Sequence, residues 1–319
     1  MKSEYEKMND EERIRLLETI RIVYPRQTSV VEEIKQCREK SKYSREPRCM
    51  FIYGRPGVGK STIKDLYLDQ CKVDQQDEIN YKNPILSMNS PVQATVKSLL
   101  SEMLRSLGDP AFDKGTTQAM SARLEHLIKV KEIELIILDE FQRLIDIKSN
   151  KVLRDVAEKL TIIINNTKVP FVFIGLPIAL EVFKSEEYFG RRCMIRKEIK
   201  AFEWGPEFIK FIEMIERELP LLDKSNLTNN ETAYSIYQAT NGIAHYIMTL
   251  IKEGAELAIK KKTERILPQF LACAYMNQVK NIIGRPDPFG YFNETKNPID
   301  KEIINQGNKK YDVRDALRA

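Results

Sequence analysis

Eight consecutive residues, Gly54-Arg55-Pro56-Gly57-Val58-Gly59-Lys60-Ser61, have the types and spacing to hold a polyphosphate. Glycines at 54, 57 and 59 let the backbone curl around an anion and turn its N–H groups inward. Lys60 offers a point charge to the β- and γ-phosphates, and the Ser61 hydroxyl, with Thr62 beside it, can ligand Mg²⁺. The block fits G-x-x-x-x-G-K-[ST] in the context that pattern requires. An apolar run at 49–53 predicts a strand before it, and 62–68 predicts a helix after it. The start of that helix adds the positive end of its dipole. Residues 54–62 are therefore expected to bind a nucleoside triphosphate with Mg²⁺.

Hydrolysis needs an acid for the metal and a group that activates water. Glu134-Leu135-Ile136-Ile137-Leu138-Asp139-Glu140 is an apolar strand pattern ending in two acids. Asp139 is the expected Mg²⁺ acid, acting through water, and Glu140 the group that polarises the attacking water. The 79 residues from Lys60 to Asp139 admit one strand and two helices, so this strand is expected beside the one that carries the phosphate loop.

The elements that position these residues follow from periodicity. Ile14, Leu16, Leu17, Ile20 and Val23 predict a helix over 4–24, ended by Tyr24-Pro25-Arg26, and a second amphipathic helix over 28–40. A polar connection over 69–83 leads to a short strand at 84–87. Ser90-Pro91 is the expected start of the next helix, as N-cap and first residue. Further helices are expected at 116–131 and 151–165, and strands at 169–175 and 196–202. Strands alternating with helices imply a parallel sheet covered on both faces. Beyond Trp204-Gly205-Pro206 only helical patterns remain, at 206–219, 230–240, 243–261 and 268–282. The expected fold class is α/β, a five-stranded parallel sheet flanked by helices with a C-terminal helical lid. Its segments are 1–48 joining the core, 49–204 as core, 205–283 as lid and 284–319 as a flexible tail.

Composition bounds the rest. The 319 residues are 42% hydrophobic and 30% charged, as expected of a globular protein, and the net charge of +5 permits a nucleic-acid partner without demanding one. Five scattered cysteines, never in C-x-x-C, give neither a disulfide framework nor a zinc site, and Cys49 and Cys193 read as packing residues. The charged first residues lack a signal-peptide core, and no apolar run reaches the roughly 18 residues of a membrane span. A cytoplasmic protein is expected.

An apolar run ending in Asp139-Glu140, followed by a helical C-terminal region, resembles the AAA+ branch of phosphate-loop ATPases. That resemblance implies ATP lying between subunits of a ring or filament, with a neighbour's arginine reaching the γ-phosphate. The matching position reads Tyr188-Phe189-Gly190-Arg191-Arg192-Cys193-Met194, which makes Arg191 and Arg192 the arginine candidates; a solvated surface pair is the alternative. Two departures stand out. Ile174-Gly175-Leu176-Pro177 lacks the usual polar sensor residue, and Asn241-Gly242-Ile243-Ala244-His245-Tyr246 lacks the usual arginine. His245 either reaches a phosphate or serves its helix structurally. Both departures imply slow hydrolysis, a timing switch. The resemblance implies adenine as the base, in keeping with the lack of a guanine-reading N-K-x-D motif, and Tyr24 and Pro25 are the expected lining of an adenine pocket.

Within that branch, Ile22-Val23-Tyr24-Pro25-Arg26, the GRPGVGKST loop, Ser87-Met88-Asn89-Ser90-Pro91, Leu107-Gly108-Asp109-Pro110, LDEFQRL at 138–144, FIGLP at 173–177 and the FGRR block together look like the TniB/TnsC family of transposition regulators. The resemblance covers about residues 10–283, and the chain is similar in length to TnsC proteins of CRISPR-associated transposons. It implies ATP-dependent homo-oligomers, rings or helical filaments, on double-stranded DNA. They bridge a target-selection protein of TniQ or TnsD type to the transposase. The implied DNA contacts are Thr95, Lys97, Lys114, Thr116 and Thr117, whose ammonium and hydroxyl groups suit phosphates; Lys97 could equally be a snorkelling surface residue. Aromatics in Asp287-Pro288-Phe289-Gly290-Tyr291-Phe292 fit either a docking peptide for the transposase or a strap on this protein's own surface. The competing readings are an AAA+ replication initiator or helicase loader and a signalling NTPase with protein partners only. The short stretch after Gln278 counts against the winged helix expected of an initiator, and the long repeat or effector domain expected of a signalling NTPase is not seen in this sequence.

Overall fold

Strands buried on both faces need continuous apolar runs, because helices cover each side. The computed structural model describes residues 2–73, 84–92, 95–144 and 150–292. Helices α1 (Lys2–Tyr5), α2 (Asp10–Thr19) and α3 (Pro25–Ser41) precede strand β1 (Met50–Tyr53), and α4 (Lys60–Val73) precedes β2 (Ile85–Asn89). Helices α5 (Val96–Ser106) and α6 (Thr117–Val130) lead to β3 (Leu135–Asp139). A tight turn at Phe141–Leu144 and α7 (Asn150–Thr167) lead to β4 (Phe171–Gly175). Then come α8 (Leu180–Ser185), α9 (Glu187–Arg192) and β5 (Ile195–Glu198). The remainder is helical: α10 (Pro206–Glu218), α11 (Asn230–Thr240), α12 (Ala244–Lys260), α13 (Pro268–Ala274) and α14 (Lys280–Ile283).

All five strands pair in parallel, in the order β2-β3-β4-β1-β5. The strand carrying Asp139 is therefore not beside the phosphate-loop strand, as expected from sequence; β4 lies between them. The register places Tyr53 beside Gly175 and Glu198, and Asn89 beside Asp139. The carboxyl ends of the strands thus share one edge, and β1 stands out of sequence between β4 and β5; such a break in the order is the usual place for a ligand crevice in parallel sheets. Alternation divides the core. Met50 and Ile52 pack with Val30, Ile34, Ile63 and Tyr67 from α3 and α4, while Phe51 packs on the other face with Leu99, Leu124, Leu160, Phe173 and Phe183. Cys49 and Cys193 are fully buried, as packing residues should be.

The chain divides into two compact units, Pro25–Lys200 and a second formed by Met1–Tyr24 with Ala201–Ala319. The first 24 residues thus group with the helical C-terminal unit and not with the core, where the sequence reading put them. Leu17, Ile22 and Tyr24 supply the reason, since they share an apolar cluster with Phe202, Phe211, Ile247 and Ile251. The predicted single helix over 4–24 is two, because Asn9 caps α2 in a capping box with Glu12. Pro25 opens α3 instead of ending the helix before it; a first-turn proline loses no hydrogen bond. Thr95, not Ser90, caps α5, accepting the Ser98 N–H at 3.0 Å.

In the helical unit, the described part of the expected tail is a strap on its own surface. The Asp287 carboxylate accepts the N–H groups of Phe289, Tyr291 and Phe292 at 2.9, 2.8 and 3.0 Å, and Phe289 packs against the unit's apolar cluster. The tail from residue 293 onward and the connection at 74–83 lie outside the described residues. Among the described residues, no helix is long and apolar enough to cross a membrane.

Candidate functional site

The phosphate-loop turn is fixed at both ends. Gly54 donates its N–H to the Gly175 carbonyl at 3.3 Å, and a Cβ on it would stand 2.2 Å from the Ile199 carbonyl oxygen. Only glycine passes there. Gly57 and Gly59 take φ of 77° and 98°, in the left-handed region. Val58 anchors the loop by burying its side chain beside Ile63. The Lys60 ammonium donates to the Gly54 and Arg55 carbonyls at 2.8 and 2.9 Å. Burial pushes its pKa below the ordinary lysine value, against the opposing pull of Asp139 and Glu140. Ser61 is exposed at the helix start and Thr62 is half-buried.

Asp139 ends β3 and is only 4% exposed. One carboxylate oxygen accepts from the Lys64 ammonium at 2.6 Å and the other from the Glu140 N–H at 2.8 Å. Its carbonyl accepts from Ser90 N at 2.8 Å, which ties the end of β2 to that of β3. The Ser90 hydroxyl is buried with no hydrogen-bond partner. Glu140 has a φ of 56°, a left-handed turn that swings its half-exposed side chain off the strand line. Its carboxylate accepts from Gln142 Nε2 at 2.5 Å, and Arg143 Nε lies 4.0 Å away.

These groups fit a triphosphate with Mg²⁺. The glycine cradle excludes side chains, the helix start supplies N–H groups, and Lys60 holds a partly desolvated positive charge beside them. Among the described residues no group of three or more His, Cys, Asp or Glu could hold a metal alone. A cation here would share Ser61 and Asp139 with phosphate oxygens, the habit of Mg²⁺.

The other expected site residues are more dispersed. Arg191 and Arg192 end α9. Arg191 is exposed and pairs with Glu187 at 2.9 Å, while Arg192 is 21% exposed, pairs with Glu46 at 3.1 Å and accepts the Cys49 N–H on its carbonyl. Thr95, Lys97, Lys114, Thr116 and Thr117 are all exposed, and Thr116 caps α6 as Thr95 caps α5. In the helical unit, His245 is exposed in the first turn of α12. Tyr24 is 3% exposed, its ring enclosed by Phe202 and Phe211 with centroids at 4.9 and 5.3 Å, so it packs rather than lining an open pocket. Pro25 starts α3.

Three residues at the site escaped the sequence reading. Lys64 lies one helical turn beyond Lys60, a spacing that could have flagged it; Gln142 lies two residues past Glu140, within the run already singled out. Nothing local marks the Ser90 N–H contact with Asp139.

The family model described as "Bacterial TniB protein" matches residues 13–203. No match was found among curated proteins. Among solved structures, the Aeropyrum pernix ORC1 protein in complex with DNA is 16% identical with a TM-score of 0.61, covering 82% of this chain and 68% of its own. Cdc6p from Pyrobaculum aerophilum is 14% identical with a TM-score of 0.62, covering 85% and 74%. The Aeropyrum pernix ORC2 protein in its ADPNP–ADP complexes is 15% identical with a TM-score of 0.59, covering 82% and 71%. At these identities the likeness is one of fold.

Proposed function

The chain belongs to the TniB family and has the AAA+ fold, and on that premise we propose that it is an Mg²⁺-dependent ATPase that assembles on duplex DNA and links a target-selection protein to a transposase. One observation carries the hydrolysis reading: Lys60, Ser61, Asp139 and Glu140 come from segments that follow or end strands at the same edge of one parallel sheet. Lys60 and the N–H groups of the loop would hold the β- and γ-phosphates, and Ser61 and Asp139 the metal. Mg²⁺ supplies charge neutralisation and fixes the phosphate oxygens. Glu140, turned outward and half-exposed, polarises the attacking water.

Arg191 is the better candidate for a residue given to a neighbouring subunit. Its exposed pairing with Glu187, one turn away, contributes little, whereas the Arg192 side chain is only 21% exposed and lies 3.1 Å from Glu46 of its own chain. For DNA, Thr95 and Thr116 open two helices whose exposed starts, with Lys97, Lys114 and Thr117, suit phosphate contacts without base reading. The likeness to the Aeropyrum pernix ORC1 protein, whose structure is a complex with DNA, supports the same class of partner. The AAA+ likeness to initiators also favours a second reading, a replication initiator or loader.

Sedimentation of the full chain with duplex DNA, with and without ATP and Mg²⁺, tests the proposal. ATP-dependent assemblies on duplex DNA are expected in wild type and in Glu140→Gln, and none in Lys60→Ala. Lys97→Ala should flatten the salt dependence of assembly by about one counterion per subunit. A protein that hydrolyses ATP but ignores duplex DNA defeats the reading. Stimulation of turnover by a helicase and not by a transposase moves it to the loader.

A further inference from the structure

The end of β4 has no polar side chain facing the chemistry, since Gly175 is followed by Leu176 and Pro177. A polar group reaches that place from another segment. Gln142, in the turn after β3, donates from Nε2 to a Glu140 carboxylate oxygen at 2.5 Å and accepts the Leu176 N–H on Oε1 at 3.1 Å. Chemistry fixes the orientation of this amide: reversed, it would set its carbonyl against a carboxylate and its N–H₂ against an N–H. We infer that Gln142 is a positioning residue for hydrolysis, holding the Glu140 carboxylate and coupling its orientation to the segment that begins at Leu176.

Three features make the link more than local packing. The turn that carries Gln142 is already anchored by Phe141 and Leu144, both buried in the core, so the amide is not needed to hold it. Gly175 is shaped around the amide: a Cβ on it would stand 2.8 Å from Gln142 Oε1 and 3.3 Å from Gln142 N. Glu140 occupies a left-handed backbone conformation, which bulky L-residues rarely adopt without a compensating contact. The side chain is thus aimed, and Gln142 is the group that holds the aim.

The coupling has a direction. Leu176 opens the stretch that runs through α8 and α9 to Arg191 and Arg192. A shift of that stretch, such as a neighbouring subunit engaging Arg191 would impose, moves the Leu176 N–H. Through one rigid amide it then changes where the Glu140 carboxylate points. Water activation would depend in this way on the state of the arginine segment. The inference deepens the hydrolysis reading and rests on it.

Gln142→Met keeps the length of the side chain and removes both hydrogen bonds. In the nucleotide-free full chain, amide hydrogen exchange at Leu176 is expected to speed up at least about tenfold, since its N–H loses its acceptor. In ATPase assays with duplex DNA, kcat is expected to fall about tenfold while KM and the dissociation constant for a fluorescent ATP analogue stay within about twofold. Gly175→Ala, whose Cβ would crowd the Gln142 amide, should reproduce the faster exchange and part of the loss in kcat; thermal melting checks that both variants fold. Unchanged exchange at Leu176, a kcat within about twofold of wild type, or a loss of affinity that tracks kcat each overturns the inference. A wild type without turnover, or a Glu140→Gln variant that keeps it, overturns the hydrolysis reading and this inference together. Wild-type turnover that resists Gln142→Met sinks this inference alone.

Discussion

Lys64 places a fixed cation against the carboxylate expected to serve the metal. Its ammonium lies 2.6 Å from Asp139, and both side chains are mostly buried at 18% and 6% exposure. Breaking such a pair from one side leaves a buried charge without its counterion, which costs about 3 kcal/mol. Lys64→Met should therefore lower the melting temperature in EDTA. It should also enlarge the rise produced by Mg²⁺ with ATP, because the added cation then meets an uncompensated Asp139. Scanning fluorimetry reads both shifts, and an unchanged melting temperature in EDTA would count against a stabilising ion pair. At this scale the sequence was most legible where phosphate chemistry dictates residue type. Glycines that must pass a carbonyl, a lysine and a terminal acid have few substitutes, so a loop and an acid pair of this kind stand out in a sequence as a proposed phosphate site. Lys64 and Gln142 are chemically ordinary residues whose roles arise from what stands opposite them. A carboxylate or a backbone N–H across space leaves no trace in a one-dimensional pattern.

Between elements, the helical unit shows how an N-terminal segment is captured. Arg13 of α2 is buried, donates from Nε to the Pro220 carbonyl at 2.8 Å and reaches Glu264 with Nη1 at 3.0 Å. The Arg13 hydrogen bonds hold the Glu264 carboxyl below its ordinary value of 4.5, against desolvation, which acts the other way. A carboxylate with a lowered folded-state pKa stabilises the fold above its unfolded pKa and loses that contribution as pH falls through the folded value. Glu264→Gln should therefore be less stable than wild type at neutral pH. The gap should close as pH falls below about 4.5 and through the lowered folded value, as followed by denaturant midpoints over the acid range. A gap independent of pH would show that the charge is not what binds these elements. The helical periodicity of residues 14–23 announces a buried face but not its partner, which comes from Phe202, Phe211 and Ile247 far along the chain. Likewise Ser90-Pro91 and Thr95 are both good helix starts. Only the tertiary bond from Ser90 N to Asp139 takes the first of them out of the helix.

For the whole molecule, the proposed site is incomplete in one chain if Arg191 serves a neighbour. The net charge of +5 adds only a weak general attraction for DNA, so assembly would rest on specific contacts and on nucleotide held between copies. A mixing experiment tests that arrangement directly. Glu140→Gln cannot activate water in its own site but keeps Arg191, and Arg191→Ala keeps Glu140 but has no arginine to lend. Each alone should bind ATP, assemble on duplex DNA and turn over at least about tenfold more slowly than wild type. Mixed in equal amounts, a site regains both groups when an Arg191→Ala chain hosts it and a Glu140→Gln chain stands beside it. Random assembly makes about one site in four of that kind, so the mixture should recover up to about a quarter of wild-type turnover. The Arg192→Ala variant, which removes a side chain that lies against Glu46 of its own chain and keeps Arg191, should not complement Glu140→Gln beyond the activity it has alone. A mixture no faster than the average of its two parts would place every catalytic group within a single subunit.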